Sequence, residues 1–157
     1  MILSVKAGTL VKPRRLDIAV KWRLFRHLMC EHFPSAVDLY RWHIEKRSGN
    51  RMQAGLATDR WKRSIDDYMV SAQALAQSVR DGFDSRFPVP VDNNGDILDG
   101  SHRLAAALVA GSIRIPIEPR DTLAWAPAWD RAWFIDNGLP PDQVASLERD
   151  LTALRGI

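Results

Sequence analysis

The fold of this chain is decided by the stretch Asp92-Asn93-Asn94-Gly95-Asp96-Ile97-Leu98-Asp99-Gly100-Ser101-His102-Arg103-Leu104-Ala105-Ala106-Ala107-Leu108. Asn94-Gly95 is a strong hairpin-turn signal, because both residues tolerate the positive φ of such a turn. Val89 and Val91 precede the turn, and Ile97-Leu98 supplies a short apolar return. The pattern predicts a strand, a tight turn and a second short strand that runs directly into a helix.

The end of that hairpin favours an anion site. Gly100 ends the strand, Ser101 is a suitable helix N-cap, and the residues from Leu104 onward are typical of a helix. A helix start exposes unpaired backbone N–H groups and the positive end of the helix dipole, both of which attract anions. We therefore expect Gly100 to let a phosphate approach the backbone.

The side chains at this junction strengthen the prediction of a phosphate site. Ser101 brings a hydroxyl, and His102 and Arg103 bring further donors. Asp99 brings a carboxylate suited to hold a magnesium ion or to steer a proton. The alternative interpretation is that Asp99 and Ser101 only cap the helix while Arg103 lies on the surface.

Two further carboxylates, Asp66 and Asp67, precede or open a helix predicted from about residue 69 to residue 81. Capping and the helix dipole favour carboxylates at such a position, and capping alone explains one of the two. If the fold brings them close to Asp99, they form an acid–base or metal-binding pair instead.

Length and composition limit the classes of protein. The chain has 157 residues, of which 46% are apolar, so it can bury a core as one domain with an appendage. A single cysteine, Cys30, excludes an internal disulfide and a multi-cysteine metal site, and we expect it to be buried. Neither a signal peptide nor a membrane-spanning run is recognisable. We expect a soluble, cytoplasmic protein.

Charge divides the chain into two unequal parts. Residues 1–63 hold 14 lysines and arginines against 5 acidic residues, whereas residues 64–157 hold 8 against 14. The basic part predicts an acidic partner, which is nucleic acid, anionic lipid or the acidic half of the same chain. A solvated basic helix face explains the asymmetry equally well.

The other segments predict helices around a small sheet. We expect a short strand near residues 2–5, a helical hairpin from helices over residues 16–33 and 36–46, and a loop over residues 47–59. A strand follows over residues 112–118, where Pro116 indicates an edge or an end. The fold class is therefore α/β, with a basic helical extension over residues 1–59 and a mixed-sheet domain over residues 60–157.

Apolar spacing predicts which helix faces are buried. In the helix over residues 69–81 the inward set is Val70, Ala74, Leu75 and Val79, and in a final helix opened by Pro140-Pro141 it is Val144, Leu147, Leu151 and Leu154. Between them lie Trp125, Trp129 and Trp133, which form either ordinary core or an aromatic rim over a base or sugar.

The order of elements between residues 71 and 117 carries a family resemblance. Over roughly a third of the chain, this order resembles the ParB/sulfiredoxin-like fold. The matching elements are a helix ending at Gly82, the hairpin, the step Gly100-Ser101-His102-Arg103 with its following helix, and the strand at Ile113-Arg114-Ile115. The most specific element is the Gly-x-His-Arg step. The resemblance implies that Gly100, Ser101, His102 and Arg103 bind the phosphates of ATP or another nucleotide.

Departures from that family narrow the function. Ser101 stands where sulfiredoxins carry a reactive cysteine, so their thiol chemistry is not expected. About forty residues follow Ile117, too few for the helix-turn-helix domain of chromosome-partitioning members. The branches left include small-molecule kinases that phosphorylate free serine, plasmid-encoded nucleases, and short ParB-like proteins of bacterial surface-polysaccharide loci.

The favoured prediction is a nucleotide-dependent, magnesium-dependent kinase that acts on a small hydroxyl acceptor, a sugar or an amino-acid-like molecule. Asp66 or Asp67 would take the acceptor's proton, and Asp99 would orient the metal or the acceptor. Two alternatives remain open at this point. One is a nucleotide- or nucleic-acid-binding module without chemistry, and the other is a metal-dependent nuclease.

Overall fold

A computed structural model of the chain describes residues 1–49, 62–124 and 129–157. These residues form a three-stranded sheet with six α-helices, in the order β1 (Leu3–Lys6), α1 (Leu16–Met29), α2 (Pro34–Arg47), α3 (Ile65–Ser78), β2 (Val89–Val91), α4 (Ser101–Val109), β3 (Arg114–Pro119), α5 (Arg131–Asp136) and α6 (Pro141–Arg155). The predicted α/β class, with a small mixed sheet and flanking helices, is confirmed.

The sheet has the order β1-β3-β2, in which β1 is antiparallel and β2 parallel to β3. The predicted hairpin is present, although its return is reduced to a single bridge between Val91 and Ile97. The prediction of an edge position for the strand that contains Pro116 was wrong, because β3 is central. Pro116 is tolerated there because it pairs with Ser4 of β1 only, while the β2 ladder begins at Ile117.

The amino-terminal helices do not form a separate extension. β1 supplies a strand of the sheet, and α1 packs most extensively against α4, whose buried alanines allow the two helices to approach closely. Residues from both parts share one hydrophobic core. Residues 1–49 are therefore part of the domain that was predicted to begin at residue 60, and the predicted boundary itself lies outside the described residues.

Two details of the predicted helices differ from the structure. Helix α3 begins at Ile65, four residues earlier than expected, because Ser64 caps it. Its buried side chains are Tyr68, Ala72 and Ala76, whereas Val70 is 64% exposed. The predicted inward set on α6 is confirmed in full. Cys30, expected to be buried, is exposed at the end of α1.

Ion pairs connect the basic and acidic parts of the chain. Arg14 pairs with Asp96 at 2.5 Å, Arg23 with Asp150 at 2.6 Å, and Arg41 with Asp66 at 2.8 Å. The acidic half of the chain itself therefore takes up part of the amino-terminal charge. Within the described ranges, no helix has the length and apolar character needed to cross a membrane.

Candidate functional site

A pocket of about 430 Å³ lies where the starts of α1 and α4 meet. The end of α2, the start of α3 and the segment after β3 complete its walls. Charged and polar side chains dominate the lining, which consists of Arg15, Asp17, Lys21, Arg47, Lys62, Tyr68, Ile97, Leu98, Asp99, Ser101, His102, Leu123, Ala124 and Trp129.

A buried ion network forms the floor of this pocket. The Arg15 guanidinium donates two hydrogen bonds to the Asp17 carboxylate, at 2.7 and 2.9 Å, and Lys21 Nζ donates to the same carboxylate at 2.8 Å. All three residues are at most 2% exposed. Asp17 and Lys21 are one turn apart on α1, so the helix itself sets their spacing.

Burial and pairing shift the pKa values of the network in a consistent way. Burial alone would raise the pKa of Asp17, but the charges and hydrogen bonds of Lys21 and Arg15 outweigh it and hold that pKa well below its usual range. Burial lowers the pKa of Lys21 to about 8, an effect that Asp17 opposes and that Arg47 and Arg15 reinforce. Lys21 thus loses its proton more easily than an ordinary lysine.

The network is connected to the start of α4 through Ser101. Lys21 Nζ donates a hydrogen bond to Ser101 Oγ at 2.7 Å. The prediction that Ser101 caps α4 was wrong, because Gly100 occupies the N-cap in a left-handed conformation with φ of 88° and Ser101 is the first helical residue. Its hydroxyl is therefore free to face Lys21 and the pocket rather than the helix backbone.

The backbone at this helix start offers donors to an anion. No hydrogen bond within the described part of the chain uses the N–H groups of Ser101, His102 and Arg103, and the first internal bond of α4 runs from Leu104 N–H to Gly100. Ser101 and His102 also line the pocket. The predicted anion site at this junction therefore has free amides, a hydroxyl and a buried ammonium group beside one another.

His102 is held in its neutral form. Its Nε2 lies 2.8 Å from Tyr40 Oη, and the two rings meet edge to face. Burial lowers the pKa of His102 well below its usual range, and the nearby charges of Lys21, Lys62 and Arg47 lower it further. Burial likewise raises the pKa of Tyr40. His102 therefore supplies a neutral donor or acceptor to the pocket.

Two cations at the pocket opening, Arg47 and Lys62, lie beside Tyr68. Arg47 Nη2 donates to Tyr68 Oη at 3.3 Å, and Lys62 Nζ lies 4.6 Å from the centre of the Tyr68 ring. Neither has a carboxylate partner within the described residues. On the opposite wall the Arg15 guanidinium stacks 3.7 Å from the centre of the Trp129 ring. Trp129 thus lines the pocket, while Trp125 lies outside the described residues.

Arg103 does not share this pocket with its sequence neighbours. Its Nη1 donates to the backbone carbonyl of Phe87 at 2.5 Å, and the side chain lines a separate, more apolar cavity beside Phe83. The guanidinium also covers Gly100, where an added Cβ would lie 2.8 Å from Arg103 Nη2. Gly100 therefore has a φ that favours glycine, and the Arg103 guanidinium lies over its Cα.

The structure also places Asp66 and Asp67 outside the pocket. Asp66 is 78% exposed and pairs with Arg41. Asp67 forms a capping box with Ser64, in which its carboxylate accepts from the Ser64 and Arg63 N–H groups. These hydrogen bonds, from Arg63 first, lower the pKa of Asp67. The structure does not bring either carboxylate together with Asp99.

Asp99 is exposed on the pocket wall, and its Oδ1 accepts from Gly100 N–H at 2.6 Å. It makes no ion pair in the part of the chain that the structure describes. Among the described residues, no group of three His, Cys, Asp or Glu side chains could hold a metal ion. The cations that share the pocket with Asp99 also oppose a divalent cation and favour an anion.

The sequence did not lead us to the charged residues at the floor of the pocket. No role in the site was predicted for Arg15, Asp17 or Lys21. One signal could have identified them: Asp17 and Lys21 are four residues apart on a helix face that otherwise carries Leu24 and Leu28. Charged residues at that spacing inside an apolar stripe indicate a buried pair.

Comparison of the chain with protein-family models, with curated proteins and with solved structures finds no match. The resemblance to the ParB/sulfiredoxin-like fold accordingly stays a prediction.

Proposed function

We propose that this protein is a nucleotide-dependent phosphotransferase that acts on a small hydroxyl acceptor. One observation carries the proposal: the pocket combines four cations with two carboxylates, and one of those carboxylates, Asp17, is fully engaged by Arg15 and Lys21. Arg47 and Lys62, which have no carboxylate partner among the described residues, and the N–H groups of the first turn of α4 suit the phosphates of a nucleotide. Trp129 offers an aromatic face to its base or sugar.

The chemistry in this proposal falls to fixed donors and one carboxylate. Lys21, the Ser101 amide and the two cations at the opening stabilise the charge of the transferring phosphoryl group. Asp99 takes the proton of the acceptor hydroxyl, because it is the carboxylate of the pocket without an ion-pair partner among the described residues. Magnesium enters as part of the nucleotide complex and not as a resident ion.

Titration of ATP, with and without magnesium, into the full chain tests the binding part of this proposal. Arg47→Ala and Lys62→Ala should each weaken binding roughly 10- to 100-fold, because a charge-assisted hydrogen bond contributes about 1.5–3 kcal/mol. Lys46→Ala is the matched control, since Lys46 neighbours Arg47 on α2 but does not line the pocket. Equal affinity in all four proteins would contradict the assignment of the pocket.

The transfer part is tested separately by following nucleoside diphosphate release in the presence of sugars and hydroxyl amino acids. Asp99→Asn should lower turnover by about 10²–10⁴-fold while nucleotide affinity is kept. The proposed link to surface polysaccharides rests on the family resemblance alone, so sugars and sugar phosphates form the first panel of acceptors.

A second candidate is a nucleotide-sensing module that binds without transfer. The placement of Asp66 and Asp67 outside the pocket favours it, because the carboxylates predicted as the base are absent from the site. Tight nucleotide binding without product release in any acceptor panel would select this candidate. Nucleic-acid binding is less favoured, since ion pairs such as Arg23–Asp150 already neutralise part of the basic surface.

A further inference from the structure

The contact between Lys21 and Ser101 has the geometry of an activated nucleophile. Lys21 Nζ lies 2.7 Å from Ser101 Oγ, and Lys21 itself is 2% exposed while Ser101 opens into the pocket. A serine hydroxyl becomes a nucleophile when an adjacent base within hydrogen-bond distance takes its proton, and a buried lysine is one such base.

We propose that Ser101 is a covalent phosphoryl acceptor, with Lys21 as the base that takes its proton. This inference rests on the proposed function, because the phosphoryl donor is a nucleoside triphosphate bound in the same pocket. Ser101 Oγ attacks the terminal phosphorus, so that an O–P bond forms and the bond from that phosphorus to the bridging oxygen breaks. Nucleoside diphosphate leaves with that oxygen, and the hydroxyl proton moves to Lys21 Nζ.

The direction of the hydrogen bond depends on the protonation of Lys21. While Lys21 is charged, Nζ donates to Ser101 Oγ; once it is neutral, the hydroxyl donates to Nζ and the nucleophile is prepared. The pKa of about 8 makes the neutral form accessible near physiological pH. The groups that face this pair are Asp17 and Arg15 from the start of α1, Arg47 from α2, Lys62 before α3 and His102 and Asp99 around α4.

The product of the reaction is stabilised by its surroundings. Ser101 is the first residue of α4, so a phosphate on its Oγ lies at the positive end of the helix beside free N–H groups. Lys21, protonated by the reaction, lies next to it. A phosphoserine at a helix start with a neighbouring cation gains charge-assisted hydrogen bonds. The site therefore favours the phosphorylated serine over the free hydroxyl.

The test incubates the full chain with ATP and magnesium, measures nucleotide binding in the same sample by calorimetry, and maps phosphoryl groups by peptide mass spectrometry. We expect one phosphoryl group, located on Ser101. Ser101→Ala should abolish it, Ser101→Thr should retain it in part, and Ser85→Ala is the matched control, because Ser85 is exposed and outside the pocket.

A second variant tests whether Lys21 acts as a base or only as a positive charge. Lys21→Arg keeps a cation beside Asp17, but arginine stays protonated, so labelling of Ser101 at saturating nucleotide should slow by about 10²–10⁴-fold. In the unsubstituted protein the labelling rate should rise with pH through about 8, and this rise should disappear in Lys21→Arg. Thermal unfolding of each variant shows whether it is folded.

Each outcome decides between the two proposals. Nucleotide binding without a phosphoryl group on Ser101 overturns the covalent step and leaves the proposed function intact. Labelling of Ser101 that is equally fast in Lys21→Arg overturns the role of Lys21. Absence of nucleotide binding overturns the proposed function, and with it the inference that depends on it.

Discussion

The starts of α1 and α3 both carry carboxylates, and these carboxylates differ in burial and in ion pairing. Asp17 in the first turn of α1 is 1% exposed and binds both Arg15 and Lys21. Asp66, in the first turn of α3, has a side chain that is 78% exposed and reaches only Arg41 at the surface. The local sequence is comparable at both places, yet one position supports a pocket and the other faces solvent.

The difference arises from what packs on each helix. α1 lies against α4, so that the side chains on its first turn are enclosed and the Ser101 hydroxyl comes within reach of Lys21. At the start of α3, Tyr68 lies at the edge of the pocket, whereas the capping box of Ser64 and Asp67 does not line it. Enclosure in turn lowers the local dielectric around Asp17 and strengthens its charge interactions. Asp66 lies in solvent and gains no such strengthening.

The largest effect is expected from Asp17→Asn. The substitution leaves two buried cations without their common anion, and removal of one partner of a buried ion pair costs about 3–5 kcal/mol of unfolding free energy. Chemical denaturation of the variant beside Asp66→Asn measures the contrast. The double variant Asp17→Leu with Lys21→Met should recover part of the loss, and failure to do so would show that Arg15 alone requires the anion.

The free energy of unfolding at acid pH should also depend on Asp17. The native pKa of Asp17 is held well below the unfolded value of about 3.9, so its contribution is present above that pH and is lost as the pH falls further. Unfolding free energy measured from pH 5 downward should therefore fall, and the fall should be shallower in Asp17→Asn. An unchanged slope in that variant would mean that other carboxylates dominate acid unfolding.

The strand–turn–helix stretch at residues 92–108 and the stripe on α6 could be predicted because local rules decide them. Asn94-Gly95 is a local turn signal, and Gly95, with a φ of 75°, donates its N–H to the Asp92 carbonyl and closes a turn. The spacing from Val144 to Leu154 gives one buried face. The site could be predicted only in part. Ser101 and His102 line the pocket, whereas Arg103 is consecutive with His102 on a helix and so points in a different direction. The partners Arg15, Asp17 and Lys21 come from a segment some 80 residues away, and no local rule reports that contact.

Ser64→Ala tests the capping box of α3, whose residues do not line the pocket. The substitution removes the side-chain cap that accepts from Asp67 N–H, and loss of such a cap costs about 0.5–2 kcal/mol. Thermal unfolding should show a modest decrease, and nucleotide affinity should be unchanged. A clear loss of nucleotide binding would show that the start of α3 positions Tyr68 or Lys62 at the pocket opening.

The smallest effect is expected from Asp66→Ala. An exposed ion pair such as Asp66–Arg41 contributes about 0–1 kcal/mol, because water screens both charges and the side chains lose freedom when they pair. Unfolding in low and high salt should differ little between this variant and the unsubstituted protein, and phosphotransfer should be retained. If turnover were instead lost while Asp99→Asn remained active, the base would be Asp66, brought to the pocket by a rearrangement of α3. Comparison of Asp66→Ala with Asp99→Asn therefore tests whether the pocket can act as observed or whether α3 must first close on it.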